Sequence, residues 1–309
     1  MSELVKKGKV KEVWRINENE LEFRFTDQIS VFDKIIPTLI PSKGETLCRT
    51  SAYWFRELEE IGIPTHYIGL TSPTTMRVRR VDIPQSYEEI STSNKGFLIP
   101  LEWISRYYVA GSLNDRLKEG KIDPRGLGFP KGYVPELGEA LPQPFHEVTT
   151  KIEKVDRPLT KSEALSLTGL AEEQSNSIWQ YIKIIDSEIK HSVENRGLIH
   201  VDGKKEWAID GNGEVMLVDT FGTADEDRFW DKRAYEEEGK RVELSKEFVR
   251  QYYRRTGYYD RLMEARGELK RTEPEIPGLP EDVAAEVSKL YIDLFERITG
   301  QEFRPKKVA

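Results

Sequence analysis

The 309-residue chain predicts an α+β fold, mixed α/β in its second part, built as two lobes. Three observations carry that expectation. Strand-sized alternating runs crowd the first third of the chain. Helix-period apolar faces with start and stop residues dominate the remainder. A polar stretch at 86–96 separates the two, which sets an N-terminal β-rich lobe at 1–96 and a C-terminal α/β lobe at 97–309. A hydrophobic fraction of 38% supports a core of that size and argues against wholesale disorder.

The elements follow in order. Residues 9–16 read as a strand, 17–20 as a turn, and Leu21, Phe23 and Phe25 alternate with charged residues as a second strand. After Pro41, a helix brings Leu47, Ser51, Trp54, Phe55, Leu58 and Ile61 to one face and stops at Gly62. Residues 66–70 and 75–81 are two further strands. Thr160 and Glu163 form a capping box, and a long helix over 172–195 turns Ile178, Tyr181, Ile182, Ile185 and Ile189 inward before Gly197. Strands at 198–202 and 206–209 then meet one at 214–219 across the turn at 210–213. Ser245 caps a helix carrying Phe248, Val249, Tyr252 and Tyr253. Pro280 stands at the first position of a last helix with Val283, Val287, Leu290, Leu294 and Ile298 on one face.

Composition excludes several classes of function. The longest apolar runs, such as 215–218, fall far short of the ~20 residues that span a bilayer. The lysine-rich first ten residues hold no apolar signal core. Cys48 is the only cysteine, so no intrachain disulfide or cysteine-based zinc site forms, as in a reducing cytoplasm. The four histidines lack helical metal spacing. With 47 Lys+Arg against 54 Asp+Glu, a net charge of −7 and no basic cluster, duplex nucleic acid is not the expected partner.

Five segments could carry chemistry. Lys9 and Lys11 follow Gly8 and share one face of an extended chain, which suits a polyphosphate; ordinary solvated lysines are the competing reading. Asp27, Ser30 and Asp33 lie in a segment that reads first as Asx and Ser turns. Glu102 and Arg106 share one side of an expected helix, and Gly111-Ser112 could offer N–H groups and a hydroxyl to a phosphate beside the Arg106 fork; a surface ion pair and a helix stop compete with that. If Ile209 opposes Glu214, then Lys204 opposes Asp219, with Glu206 one step along the same face. Metal-bound polyphosphate and a plain cross-strand salt bridge both account for that cluster. The acid-rich run from Asp219 to Asp231, with Arg228 inside it, looks like a metal or phosphate loop but lacks EF-hand spacing.

Together these motifs resemble the SAICAR synthetase family, nearly end to end. The resemblance rests on Gly8-Lys9-Val10-Lys11, Asp27-x-Ile-Ser30-x-Phe32-Asp33, Ile40-Pro41-x-Lys43-Gly44 and the stretch from Pro100-Leu-Glu102 through Arg106 to Ala110-Gly111-Ser112-Leu113. It continues through Thr150-Lys151, Asp202-x-Lys204-x-Glu206, Asp219, Asp225-x-x-Arg228-Phe-Trp230 and Ser245-Lys-x-Phe248-Val-Arg250. It implies a two-lobed fold with a kinase- and ATP-grasp-like cleft, and an ATP-dependent ligase joining L-aspartate to the carboxylated aminoimidazole ribonucleotide CAIR, with Mg²⁺. By that resemblance Lys9 and Lys11 line the nucleotide phosphates, and Glu102 and Glu206 meet its ribose or the metal shell. Arg106 and Ser112 hold the ribonucleotide, Arg228 and Arg250 its 5′-phosphate. Asp219 binds Mg²⁺, Lys204 serves the reacting carboxylate or phosphates, and Lys151 and Asp156 lie on a loop over the aspartate. Those cations are expected to make one positive cleft in an acidic shell. Thr220 stands where the family commonly has an acid, and Ala224 and Asp227 where Pro and Ser are usual. Thr220 supports the alternative of a catalytically impaired nucleotide-binding regulator; the retained charged set opposes it. A cytoplasmic enzyme is expected, with a homo-oligomer left open.

Overall fold

Aromatic and aliphatic residues alternate with charged ones through the first 25 positions, and this pattern makes a sheet. In the computed structural model, which describes residues 2–90, 95–153, 156–267 and 271–304, β1 (Glu3–Lys7), β2 (Lys11–Arg15) and β3 (Glu20–Phe25) run antiparallel. A small hairpin, β4 (Ser30–Val31) and β5 (Lys34–Ile35), leads to α1 (Lys43–Glu60). Strands β6 (Tyr67–Ser72) and β7 (Thr75–Arg79) complete a five-stranded sheet of order β1-β2-β3-β7-β6. Leu47, Ser51, Trp54, Phe55 and Leu58 of α1 are buried as expected; Ile61 is half exposed, one residue past the helix.

The second sheet begins at β8 (Phe97–Leu98) and β9 (Leu101–Tyr108). After α2 (Gly111–Lys118) come β10 (Ala140–Thr150), β11 (Pro158–Leu159), α3 (Lys161–Thr168) and α4 (Glu172–Glu194). Then follow β12 (Leu198–Ile209), β13 (Val215–Val218), β14 (Asp227–Asp231), α5 (Lys232–Glu238), α6 (Glu247–Arg255), α7 (Tyr258–Gly267) and α8 (Glu281–Thr299). Its order is β11-β10-β9-β12-β13, with β14 and β8 also paired to β12. Ile178, Ile182, Ile185 and Ile189 of α4 are buried, and α4 packs on β12. Backbone bonds at His66 N–H to Leu217 C=O (3.0 Å) and Leu217 N–H to Pro64 C=O (2.9 Å) join the two sheets. The Trp54 indole adds a bond to the Gly222 carbonyl (2.9 Å).

Several expectations are corrected. Residues 101–108 form a strand, not a helix, because Trp103, Ile104, Tyr107 and Tyr108 favour a pleated, half-buried surface. Glu102 and Arg106 are four apart, so they share a face in either geometry. Residues 198–209 are one continuous strand. Its hairpin pairs Ile209 with Val215, one step from the expected register, so Lys204 does not oppose Asp219 but pairs with Ile104 of β9. Pro280 is the N-cap of α8 rather than its first residue. Strand β10 was not anticipated: Pro142 and Pro144 argue against a strand, and they sit where the register against β9 slips between Ala140 and Phe145. The expected boundary at 86–96 includes 91–94, and the loop from Lys151 to Asp156 includes 154–155; both pairs of numbers lie outside the described residues.

Candidate functional site

The pairing of β9 with β12 builds the floor of a cleft. Side chains alternate across a sheet, so Glu102, Ile104 and Arg106 share one face with Asp202, Lys204 and Glu206. The other face meets α4, where Asp186 accepts hydrogen bonds from Lys205 (2.5 Å) and Tyr107 (2.6 Å). Above the floor lie cavities of about 1170, 990 and 410 Å³ that share Asp33 and Glu102 in their walls and form one cleft.

At one end the first sheet delivers Lys9 and Lys11. Lys9 pairs with Asp33 and Lys11 with Asp219. Burial pushes the Lys11 ammonium down to about 8, against the raising fields of Glu226 and Glu206. Asp219 has a left-handed backbone (φ 61°), an uncommon conformation for a non-glycine residue. The buried His66 ring supports it, with Nε2 3.3 Å from the Asp219 carbonyl oxygen. Burial, then the charges of Lys11 and Arg79, push His66 down to about 3, so the ring is neutral and donates that bond. Phe32 (φ 51°) and Asp33 (φ 64°) form a left-handed pair at the tip of the β4–β5 hairpin.

Lys204 stands at the centre. Its ammonium lies 2.9 Å from Glu102, 3.0 Å from Glu206 and 3.3 Å from Glu226. Lys151 reaches the same two carboxylates, 2.5 Å from Glu206 and 3.4 Å from Glu102. Burial opposes the charge of Lys204, yet Glu226, Glu206 and Glu102 hold its pKa well above the ordinary lysine value. Burial would raise Glu206, but Lys204 and Lys151 hold it down at about 2. Asp156 lines the cleft, and burial, followed by the Glu102 charge, pushes its carboxyl up.

Arginines fill the far end. The Arg106 Nε donates to Glu147 (2.7 Å), and its guanidinium also reaches Ser112 Oγ (3.1 Å) at the start of α2. Arg116 grips both oxygens of Glu147 at 2.8 Å. Asp202 bridges Arg228 and Arg106, the latter at 3.5 Å. Glu247 joins Arg228 (3.3 Å) to Arg250 (3.2 Å). Gly111 (φ +52°) is required here: a Cβ would overlap the Arg228 guanidinium.

Eleven of the twelve residues singled out from the sequence, namely Lys9, Glu102, Arg106, Ser112, Lys151, Asp156, Lys204, Glu206, Asp219, Arg228 and Arg250, line the cleft. Lys11 borders it through Asp219. Sequence reasoning missed Glu147, Glu247 and His66, and gave no counter-ion role to Asp202 or Glu226 and no site role to Lys246, which it met only inside motifs or the acid-rich run. The bare positive cleft it anticipated is instead a lattice of ion pairs. Partner distances alone reveal Glu147 and Glu247; Asp33 had a signal in its turn segment, Asp202 in its motif and Glu226 in the acid-rich run. Of the acid-rich run after β13, Asp219 and Glu226 line the 990 Å³ cavity with Lys9 and Lys204, and Asp225, Glu226 and Asp227 border the 410 Å³ one. Asp227 is buried against His200 (2.7 Å), and Asp231 caps α5. Thr220 lies beside Asp219, its hydroxyl 3.5 Å from the carboxylate.

Among the described residues, no group of three or more His, Cys, Asp or Glu side chains is arranged to hold a metal. Asp219, Glu206 and Glu226 nonetheless offer hard oxygen donors on one cavity wall. That set fits Mg²⁺ arriving on a polyphosphate, which needs only one or two protein carboxylates.

The fold and the site together define an α+β enzyme class with two main sheets and a charged cleft whose lysines and arginines suit phosphorylated anions. The family model described as SAICAR synthetase matches residues 4–265. The phosphoribosylaminoimidazole-succinocarboxamide synthase of Thermoplasma acidophilum is 54% identical over 97% of this chain and 99% of its own, and that of Thermoplasma volcanium is 51% identical over the same shares. A solved SAICAR synthetase in complex with ADP, 25% identical, superposes with a TM-score of 0.68 over 97% of this chain and 99% of that one. The SAICAR synthase of Saccharomyces cerevisiae, solved with SAICAR and 24% identical, shares the fold at a TM-score of 0.74 over 97% and 95%. The chain belongs to the SAICAR synthetase family. The regulator alternative finds no support in these likenesses.

Proposed function

We propose that this chain is the ATP-dependent ligase that joins L-aspartate to CAIR, giving SAICAR, ADP and phosphate. The observation that carries the reading is the position of Lys204. It stands midway between the Lys9, Lys11 and Asp219 end of the cleft and the Arg106, Ser112 and Arg228 end. A carboxylate is a poor electrophile, and phosphorylation gives it a leaving group. A CAIR carboxylate oxygen attacks the γ-phosphorus, ADP departs, and an acyl phosphate forms. The aspartate amine then attacks the acyl carbon and loses a proton, and phosphate leaves with the former carboxylate oxygen. Such transfers are accelerated by positioning and by fixed positive charge rather than by a protein nucleophile.

In this reading Lys9 and Lys11 hold the nucleotide phosphates. Lys204 steadies the oxygen that passes between the two anions. Ser112, Arg106, Arg228 and Arg250 hold the ribonucleotide and its 5′-phosphate. Lys151 and Asp156 face the aspartate, and Glu102 supports both lysines from below. Asp219, with Glu206, would hold Mg²⁺, which supplies charge neutralisation on the phosphates when bound. The carboxylates now paired with these cations are displaced as substrate anions take their place, so specificity is set partly by the cost of an unpaired arginine. The two-lobe division at 96/97, a cytoplasmic setting and an open oligomeric state belong to the same reading. No helix among the described residues is long and apolar enough to cross a membrane.

The test is isotope transfer. CAIR labelled with ¹⁸O in its carboxylate should deliver one labelled oxygen into each phosphate released. Unlabelled phosphate would exclude the acyl phosphate route.

A further inference from the structure

The segment leading from Asp219 into β14 brings Glu226 and Arg228 to the cleft, while Asp225, the residue before Glu226, borders the cleft but commits its carboxylate to Tyr291 and Lys43, outside the cleft wall. Asp225 is buried and accepts a hydrogen bond from the Tyr291 hydroxyl at 2.6 Å. Its second oxygen lies 3.0 Å from the ammonium of Lys43, which is wholly buried at the start of α1, and 3.6 Å from Lys246. The Lys43 ammonium also stands 5.4 Å from the centre of the Tyr291 ring. Burial works against the Asp225 charge, but Lys246 and Lys43 hold the carboxyl below its usual range, so the anion persists.

Tyr291 belongs to α8, which lies outside the segment 4–265 matched by the family model. That helix is seated by its own contacts. It packs along α1, Ser288 donates to the Pro41 carbonyl (2.7 Å), and Val287, Leu294 and Ile298 are buried. Three elements distant in sequence thus converge on one carboxylate. Next to it in the chain is Glu226, 3.3 Å from Lys204, and beside it in space is Lys246, which lines the cleft. A buried carboxylate with donors on two sides is fixed in position, because losing either donor leaves charge uncompensated.

We propose that Tyr291 is a positioning residue for catalysis: through Asp225 it fixes the 223–228 segment, so that Glu226, Arg228 and Lys246 are held ready for the ribonucleotide. This rests on the ligase reading above. Tyr291→Phe keeps the ring and removes only the hydroxyl. It is compared with Val287→Ala, a cavity one turn earlier on the same helix that removes no hydrogen bond or charge from the Asp225 cluster. Kinetics are measured well below both melting points, and hydrogen exchange is followed by mass spectrometry on peptides covering 222–230.

Tyr291→Phe should lower kcat/KM for CAIR about tenfold and leave the KM for ATP within twofold. Exchange at 222–228 should rise about tenfold. Val287→Ala should lower the melting temperature without either change. Wild-type kcat/KM in Tyr291→Phe, or losses that follow melting temperature in both variants, would overturn the proposal. If the wild-type protein shows no aspartate-dependent turnover, the ligase reading fails by itself. Exchange then decides alone: a rise confined to 222–228 in Tyr291→Phe keeps Tyr291 as the anchor of the segment, and no rise removes it.

Discussion

Replacing Lys204 with methionine removes the cation on which Glu102, Glu206 and Glu226 converge while keeping an unbranched stem of similar length. The magnitude follows from Glu206, which is buried and held at about 2 rather than its ordinary 4.5. That depression is worth about 3 kcal/mol of folding stability, shared between Lys204 and Lys151. Glu102 and Glu226 are more open to solvent, so their contributions are discounted, and relief of Lys204 burial offsets them further. The net expectation for Lys204→Met is a loss of about 2 kcal/mol at pH 7. A depressed carboxylate stabilises above its unfolded pKa and loses that contribution as pH falls through its folded value. The gap between wild type and variant should therefore narrow as acid protonates the freed carboxylates, to below about 1 kcal/mol near pH 3. Urea unfolding at pH 7 and pH 3 measures both. Turnover should fall by roughly 100-fold or more. An equal stability difference at the two pH values, or a variant more stable than wild type at pH 7, would refute the electrostatic account of the cleft centre.

Two further outcomes follow from the ends of the cleft. Lys11 sits at about 8 in the free protein because of burial, so near pH 8 about half of its ammonium is deprotonated. Nucleotide phosphates restore the charge, so ADP binding should take up about 0.5 proton at pH 8, where the phosphates are themselves fully ionised. Titration calorimetry in buffers of differing ionisation enthalpy reads this, and Lys11→Met should abolish it; equal uptake in the variant assigns the proton elsewhere. Gly111→Ala forces a Cβ into the Arg228 guanidinium, which Asp202 and Glu247 pin in place. The KM for CAIR should rise at least about tenfold, with a stability loss of about 1 kcal/mol for the left-handed backbone. An unchanged KM would remove Arg228 from the ribonucleotide site.

Much of this architecture was legible because local physics and global fold agree. The capping box at Thr160, the long amphipathic α4 and the alternation in β3 each encode one element without distant help. The misreadings have a common physical origin. Residues 101–108 carry charges at a spacing of four, which helix and strand both satisfy, and only pairing with β10 and β12 decides between them. The 198–219 hairpin leaves its register to a turn, and one step takes Lys204 off Asp219; its pairing with Ile104 comes from β9, on the other edge of β12. The site shows the same division. Lys9, Arg106, Ser112 and Arg228 announce themselves through motifs. Glu147 and Glu247 lack any motif of their own, and with Asp202 they gain meaning only as counter-ions of Arg106 and Arg228. His66 gave no sign of its place under Asp219, since a lone histidine is most often a core residue.

The most direct test of the central claim is phosphate release by the purified chain with Mg-ATP, CAIR and L-aspartate, omitting each in turn. The account predicts release above the ATP-only blank, equal to SAICAR formed, only when all three substrates are present. Release that persists without aspartate, or that never exceeds the blank, would contradict it.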